Sequence, residues 1–168
     1  MTSNRKEETM IDPKYINVLR KIYTRLEDGQ VNWAVTGSFG MALQGMDVDV
    51  HDIDIQTDKE SAYEIERRFS EYMVKPVHHS ASERIRSHFG ALEMDGIKIE
   101  IMGDIQKRLE NQTWEDPVEV ERHKCRVEID SMHIPVLSLE YEYQAYLKLG
   151  RHEKAEMLRK WLQKSKAG

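Results

Sequence analysis

Two aspartates separated by a single isoleucine, in the run Asp52-Ile53-Asp54-Ile55, follow a Gly37-Ser38 pair after thirteen intervening residues. In an extended strand residues two apart share a face, so Asp52 and Asp54 project together while Ile53 and Ile55 project the other way, toward a core. Two carboxylates held that close repel, and a raised pKa or a bound cation relieves the repulsion. Hard oxygen donors at this density suit Mg²⁺ or Mn²⁺. A Gly-Ser turn at the start of a helix adds backbone N–H groups, a hydroxyl and the positive end of a helix dipole, which together favour a phosphate. A third carboxylate, Glu100, lies between Ile99 and Ile101. A charge on such a core strand is costly unless it is solvated or bound to something. If that strand neighbours the one carrying Asp52, three acids converge beside a phosphate-sized turn.

These residues resemble the minimal signature of the nucleotidyltransferase superfamily, the polymerase beta-like group that includes the aminoglycoside and lincosamide nucleotidyltransferases. The match is strongest over 31–57 and 96–102 and looser over 134–161, and His51 directly before Asp52 is most similar to lincosamide-type and related bacterial and archaeal members. The resemblance implies a nucleoside triphosphate, ATP among the candidates, cradled by Gly37 and Ser38. It implies metal ions held by Asp52 and Asp54, with Glu100 as third acid, either a further metal ligand or the acceptor of the hydroxyl proton. The reaction implied is transfer of a nucleoside monophosphate to a hydroxyl of a small molecule or a protein. In the family the third acid is most often Asp; here it is Glu, longer by a methylene. That departure, with no large acceptor-binding domain evident, motivates a rival expectation: a catalytically inactive nucleotide-binding or antitoxin-like regulatory module. A third reading is an interaction domain whose acids merely solubilise a strand. Small members of such families complete a cleft with a second subunit, so the resemblance also admits a homodimer.

The elements that must position these residues are legible in outline. Asp12-Pro13 marks a helix start, followed by Tyr15, Ile16, Leu19, Ile22, Tyr23 and Leu26 at helical spacing, and Asp28-Gly29 ends it. The stretch 31–36 is β-prone and runs into Gly37-Ser38 and a short helix closed by Gly45. Alternation over 48–57 predicts a strand, with Thr57 or Asp58 capping a helix striped by Ala62, Tyr63, Ile65, Phe69 and Tyr72. A short strand at 73–77 is expected to break at Pro76, and 78–87 reads as a loop. Asp95-Gly96 predicts a two-residue hairpin between 88–94 and 97–102. Beyond a polar connection at 106–117, strands are expected at 118–120, 124–129 and 133–137. Ser138 then caps one helix and Gly150 separates it from a second. The fold class expected is α+β: a nucleotidyltransferase-like mixed sheet flanked by helices, with a C-terminal helical pair at about 138–165. Residues 1–10 are expected to form a disordered tail, and 11–168 a single domain.

Composition narrows the function classes. A formal charge of −5 leaves no overall basic field, which argues against long nucleic acid as a partner while permitting a small anion held locally. No apolar run is long enough for a membrane span, nothing near Met1 has a signal-peptide core, and Cys125 is the only thiol, so the cytoplasm is the expected address. Cys125 reads as a buried strand thiol, because His123 beside it lacks zinc-site spacing.

Arg84, Arg86 and Lys98 are candidates for holding triphosphate charge, Lys98 because it shares a strand face with Glu100; the bland alternative is a solvated loop and a surface ion pair. Asp47 and Asp49 read as solvating residues, and His51, His78 and His79 as loop or surface groups. The aromatic stripe Tyr141, Tyr143, Tyr146 and Trp161, with Leu147, reads as packing. The basic residues Lys154, Arg159, Lys160, Lys164 and Lys166 read as a solvated helix face.

Overall fold

The computed structural model describes residues 11–167. The 1–10 segment, expected to be a disordered tail, lies outside the described residues. Helix α1 (Pro13–Leu26) begins as its sequence dictates: the Asp12 carboxylate accepts from the Lys14 amide, and Pro13 takes a first-turn position where no donor is needed. Then follow β1 (Trp33–Thr36), α2 (Gly37–Leu43), β2 (Ile53–Thr57), α3 (Lys59–Arg68), β3 (Met73–Ala81), β4 (Ile85–Met94) and β5 (Ile97–Lys107). The chain closes with β6 (Lys124–Ile129), β7 (Met132–Leu137) and the helical pair α4 (Leu139–Lys148) and α5 (His152–Ala167).

The seven strands form one mixed sheet in the order β3-β4-β5-β2-β1-β7-β6. Strand β2 lies at its centre, antiparallel to β1 and parallel to β5. On one face Trp33, Val35, Ile53, Ile55, Ile99, Ile101, Ile134 and Val136 pack against Val18, Leu19 and Ile22 of α1 and Ala62 and Ile65 of α3. Each such aliphatic side chain, fully buried, contributes about 1.5–3 kcal/mol. That energy fixes the register, because a slip of one residue in β2 would drive Asp52 and Asp54 into this core and turn the isoleucines out. The opposite face carries Thr36, Asp54 and Glu100, and the C-terminal pair packs beside it through Met41, Met46, Leu139 and Leu158.

The mixed sheet flanked by helices and the C-terminal pair are as the sequence predicts, and so is the hairpin at Asp95 and Gly96, whose φ values of 51° and 80° suit a tight primed turn. Five expectations need correction. The loop expected over 78–87 shrinks to 82–84: 78–81 continue β3 and 85–87 begin β4, paired antiparallel from Met73↔Leu92 to Ala81↔Arg86. Pro76 does not break β3, because β3 is an edge strand and its register shifts on both sides of Lys75 absorb the missing donor. The strand expected from 48 starts only at Ile53, and 118–120 is not a strand but leads into a 3₁₀ turn, Val120–Arg122. Cys125 is exposed rather than buried, since β6 forms the other edge of the sheet.

One backbone approach is tight enough to test. A Cβ on Gly103 of β5 would lie 2.7 Å from the Asp58 carbonyl oxygen and 2.9 Å from the Ala62 Cβ, where α3 starts across the sheet. Gly103→Ala should therefore lower stability by about 1–3 kcal/mol, read as a shift of the urea midpoint; an unshifted midpoint would show that α3 yields freely. Among the described residues no helix is long and apolar enough to cross a membrane.

Candidate active site: three carboxylates beside a glycine turn

Asp54 and Glu100 are direct neighbours across the parallel β2/β5 pair, and Asp54 also faces Thr36, the last residue of β1. Asp52, at the entry to β2, completes the group: one carboxylate oxygen from each of Asp52, Asp54 and Glu100 lies within 4.8 Å of the others, all three residues half-buried. The strand alternation read from the sequence and the β2/β5 pairing together suffice to bring these acids to one spot.

The glycine turn sits directly on them. Gly37 has φ +71°, and a Cβ there would stand 2.7 Å from Asp54 Oδ2. Glycine is required twice, for the left-handed backbone and for the approach of the carboxylate. Ser38 follows in the first turn of α2.

Electrostatics at Asp54 are those of a charge short of a counter-ion. Its carboxyl is pushed up to about 7, chiefly by burial, then by the charges of Asp52, Glu100 and Glu142 and by a hydrogen bond with Glu100. Its Oδ1 is buried with no hydrogen-bond partner. An orphaned buried oxygen amid three hard carboxylates fits a divalent cation such as Mg²⁺ or Mn²⁺ better than it fits any protein donor in reach.

Lys98 sits on the same face of β5, its Nζ 3.3 Å from Glu100 Oε2. Arg84 and Arg86 are engaged elsewhere. Arg84 donates to the Lys148 carbonyl at 3.3 Å, at the end of α4. Arg86 lies over the Trp114 ring, 4.4 Å from its centre, and donates to Gln106 at 3.0 Å. Neither is gathered at the acids. Asp47, Asp49 and His51 are exposed, and so are His78 and His79 on β3. Of the aromatic stripe, Tyr143, Tyr146 and Trp161 pack with Met41 and Leu158, Tyr141 packs with Ala34 and Leu137, and Leu147 is exposed.

Two features of the site escape the sequence reading. Glu142 of α4 is buried, and its Oε2 accepts from the Thr36 hydroxyl at 2.5 Å and the Gly37 amide at 3.2 Å. Burial pushes its carboxyl up to about 7 against the pull of those two donors. Leu139, Glu142 and Tyr146 share one helical face, so an acid on an otherwise apolar stripe is the signal that could have found it. The second is Arg151, beside Lys154, whose expected place on a solvated helix face agrees with its exposure. Their charges stand 6.0 Å and 5.4 Å from the ring centre of Tyr146, whose hydroxyl is pushed up to about 12 by burial and, less strongly, by Glu142 and Asp54.

These two raised carboxylates dictate a pH dependence. A carboxylate whose folded pKa exceeds its unfolded value binds more protons folded than unfolded between the two, so stability falls as pH rises through that window. For Asp54 and Glu142 the window runs from about 4 to about 7. Carboxylates held low by arginines, such as Glu64 at about 2, act below it, while the His88 and His123 imidazoles, lowered chiefly by burial, act in the opposite sense near neutral pH but by smaller shifts than the two acids. Metal-free protein is thus expected to melt at lower temperature at pH 8 than at pH 5.5, and Mg²⁺ to reduce the difference; a melting temperature rising with pH over this range would refute the placement of these acids.

Comparison with known proteins agrees with the geometry. The model of the aminoglycoside-2''-adenylyltransferase family matches residues 18–159. A provisionally assigned nucleotidyltransferase from Thermotoga maritima, known from its crystal structure, is 67% identical over 92% of this chain and 96% of its own, with a TM-score of 0.82. A lincosamide antibiotic adenylyltransferase bound to lincomycin shares the fold at 17% identity, 84% and 94% coverage and a TM-score of 0.56. The aminoglycoside enzyme ANT(2'')-Ia, in complex with adenylyl-2''-tobramycin, does so at 12% identity, 91% and 92% coverage and a TM-score of 0.58. The comparison with curated proteins gave no match. With the family model spanning most of the chain, and a crystal structure two-thirds identical to it, the chain belongs to the aminoglycoside-2''-adenylyltransferase family of nucleotidyltransferases.

Proposed function

We propose that this chain transfers a nucleoside monophosphate, adenylate in the first instance, from a triphosphate to a hydroxyl of a small molecule or a protein, with Mg²⁺ or Mn²⁺ as cofactor. The observation that carries the reading is the convergence of Asp52, Asp54 and Glu100 within 4.8 Å, against a glycine turn whose Cβ position is filled by Asp54 Oδ2. Family membership supplies the reaction class, and the antibiotic adenylyltransferases that share the fold favour a hydroxyl-bearing small molecule as acceptor.

In this reading Asp52 and Asp54 hold the cations, and Glu100 shares them and stands within reach of the acceptor's proton. Divalent cations bound there would neutralise charge on the attacking and leaving oxygens. The acceptor hydroxyl oxygen bonds to the α-phosphorus, the bond from that phosphorus to the bridging oxygen breaks, pyrophosphate leaves, and a carboxylate takes the hydroxyl proton. The amide of Gly37 already donates to Glu142, which leaves the Ser38 hydroxyl and the amides after it for the phosphates. Lys98, beside Glu100, supplies positive charge on the same face. Arg84 and Arg86, with their partners elsewhere, take no part in this reading. The cytoplasm, where triphosphates and Mg²⁺ are available, is the compartment such chemistry needs.

The test is pyrophosphate release from each of the four ribonucleoside triphosphates with Mg²⁺ or Mn²⁺, using lincomycin and tobramycin as first hydroxyl acceptors. Release that requires the cation and is lost in Asp52→Asn supports transfer. Cation-dependent nucleotide binding without release under any condition would favour the regulatory module instead.

A further inference from the structure

A buried carboxylate that contributes to no cation site and forms no ion pair among the described residues needs a reason for its charge. Glu142 is such a group: it is 4% exposed, and the partners of its Oε2 are the Thr36 hydroxyl and the Gly37 amide. It lies in the first turn of α4, where the helix dipole favours an acid. The two atoms it holds are the last residue of β1 and the first of α2, so one oxygen spans the joint at which strand becomes phosphate turn.

That joint has little slack. Gly37 is left-handed and its Cα carries no side chain because Asp54 Oδ2 occupies the space. A rotation of the turn by a fraction of an ångström would alter both the direction of the amides after Gly37 and the position of the Asp54 carboxylate. The joint needs an external brace, because α2 has no side-chain cap of its own: the Thr36 hydroxyl is donated to Glu142 rather than accepting from the helix amides. Glu142 also couples this brace to the C-terminal helical pair, since α4 packs against α5 and Leu139 packs on Met41 of α2.

We propose that Glu142 is a positioning residue for the nucleotide turn, its Oε2 locking Thr36 and Gly37 so that the turn and Asp54 meet a triphosphate and its cation in register. This deepens the transferase reading and rests on it. The experiment titrates Mn²⁺ alone, and then α,β-methylene-ATP in saturating Mn²⁺, into the wild type and into Glu142→Ala, Glu142→Gln and Thr36→Val, each below its measured melting temperature.

Glu142→Ala is expected to weaken the analogue by about tenfold or more, because misplacement of this size degrades every contact downstream, and to weaken Mn²⁺ alone by a smaller factor, because Asp52 and Glu100 lie outside the turn. Glu142→Gln keeps an acceptor oxygen for both donors and should restore analogue affinity to within about threefold of wild type. Thr36→Val removes one of the two bonds and should fall between, which keeps the proposal testable if Glu142→Ala does not fold. Loss of melting temperature with unchanged analogue affinity would reduce Glu142 to a structural brace and overturn the proposal. Glu142→Gln as weak as Glu142→Ala, with Thr36→Val like wild type, would overturn it in favour of a role for the charge. A wild type that binds neither Mn²⁺ nor the analogue would overturn the transferase reading as well, an outcome distinct from the other two.

Discussion

Asp54→Asn is expected to cut pyrophosphate release by about 10³-fold, the scale seen when one preorganised electrostatic group is removed from a transition state. The same substitution should leave the metal-free fold as stable as wild type or more so. Asp54 is the acid whose ionisation is hindered most clearly, by burial first and by Asp52, Glu100 and Glu142 next, and its Oδ1 lacks a partner. An amide of the same shape removes that repulsion at no cost in volume. Activity and stability therefore move in opposite directions, which separates loss of a cation site from loss of fold. Melting curves with and without Mg²⁺ complete the test: wild type should gain stability on adding the cation, as binding to the folded state alone requires, and Asp54→Asn should not. Equal gains in both proteins would remove Asp54 from the metal site.

Gly37→Ala should produce the second large effect, and here both quantities fall. The left-handed backbone at φ +71° and the 2.7 Å approach of Asp54 Oδ2 each oppose a methyl group. The strain of the backbone alone is about 1–2 kcal/mol, and displacement of the carboxylate adds to it. Because the displaced atom belongs to the candidate metal site, transfer should drop by about 10²-fold, the penalty of misplacing reacting groups by about 1 Å. Gly96→Ala is the control: its φ of +80° carries the same backbone strain, but nothing lies within 4 Å of its Cβ. It should destabilise without reducing transfer in the folded protein. Equal losses of activity in the two variants would mean that Gly37 matters only as a flexible turn.

The parts of this site that could be read from the sequence are those set by local periodicity. Strand alternation places Asp52 and Asp54 on one face and Ile53 and Ile55 on the other, and Asp95-Gly96 fixes the hairpin that delivers Glu100. What joined them was the β2/β5 pairing, a long-range contact that the sequence makes conditional and the structure supplies. Glu142 was hidden because it acts across 106 residues on Thr36, and the local run Leu139-Glu-Tyr-Glu-Tyr143 resembles any capped helix start. The continuation of β3 and β4 through 78–87 was hidden for another reason. Apart from Ser87 its residues are exposed or half-buried, so no apolar side is enforced and the two-residue alternation that betrays β2 is missing. Pro76 and Cys125 misled for a related cause: both lie on edge strands, where a missing donor or an open flank costs little.

The proposed cation site of Asp52, Asp54 and Glu100 would serve a nucleotide held at Gly37 and Ser38. Anomalous diffraction from crystals grown with Mn²⁺ and α,β-methylene-ATP measures it directly. A manganese peak is predicted about 2.2 Å from carboxylate oxygens of Asp52 and Asp54, with Glu100 in its coordination sphere or one water away and the triphosphate at the turn. A nucleotide bound with its metal elsewhere on the molecule, and no peak between these three acids, would contradict it.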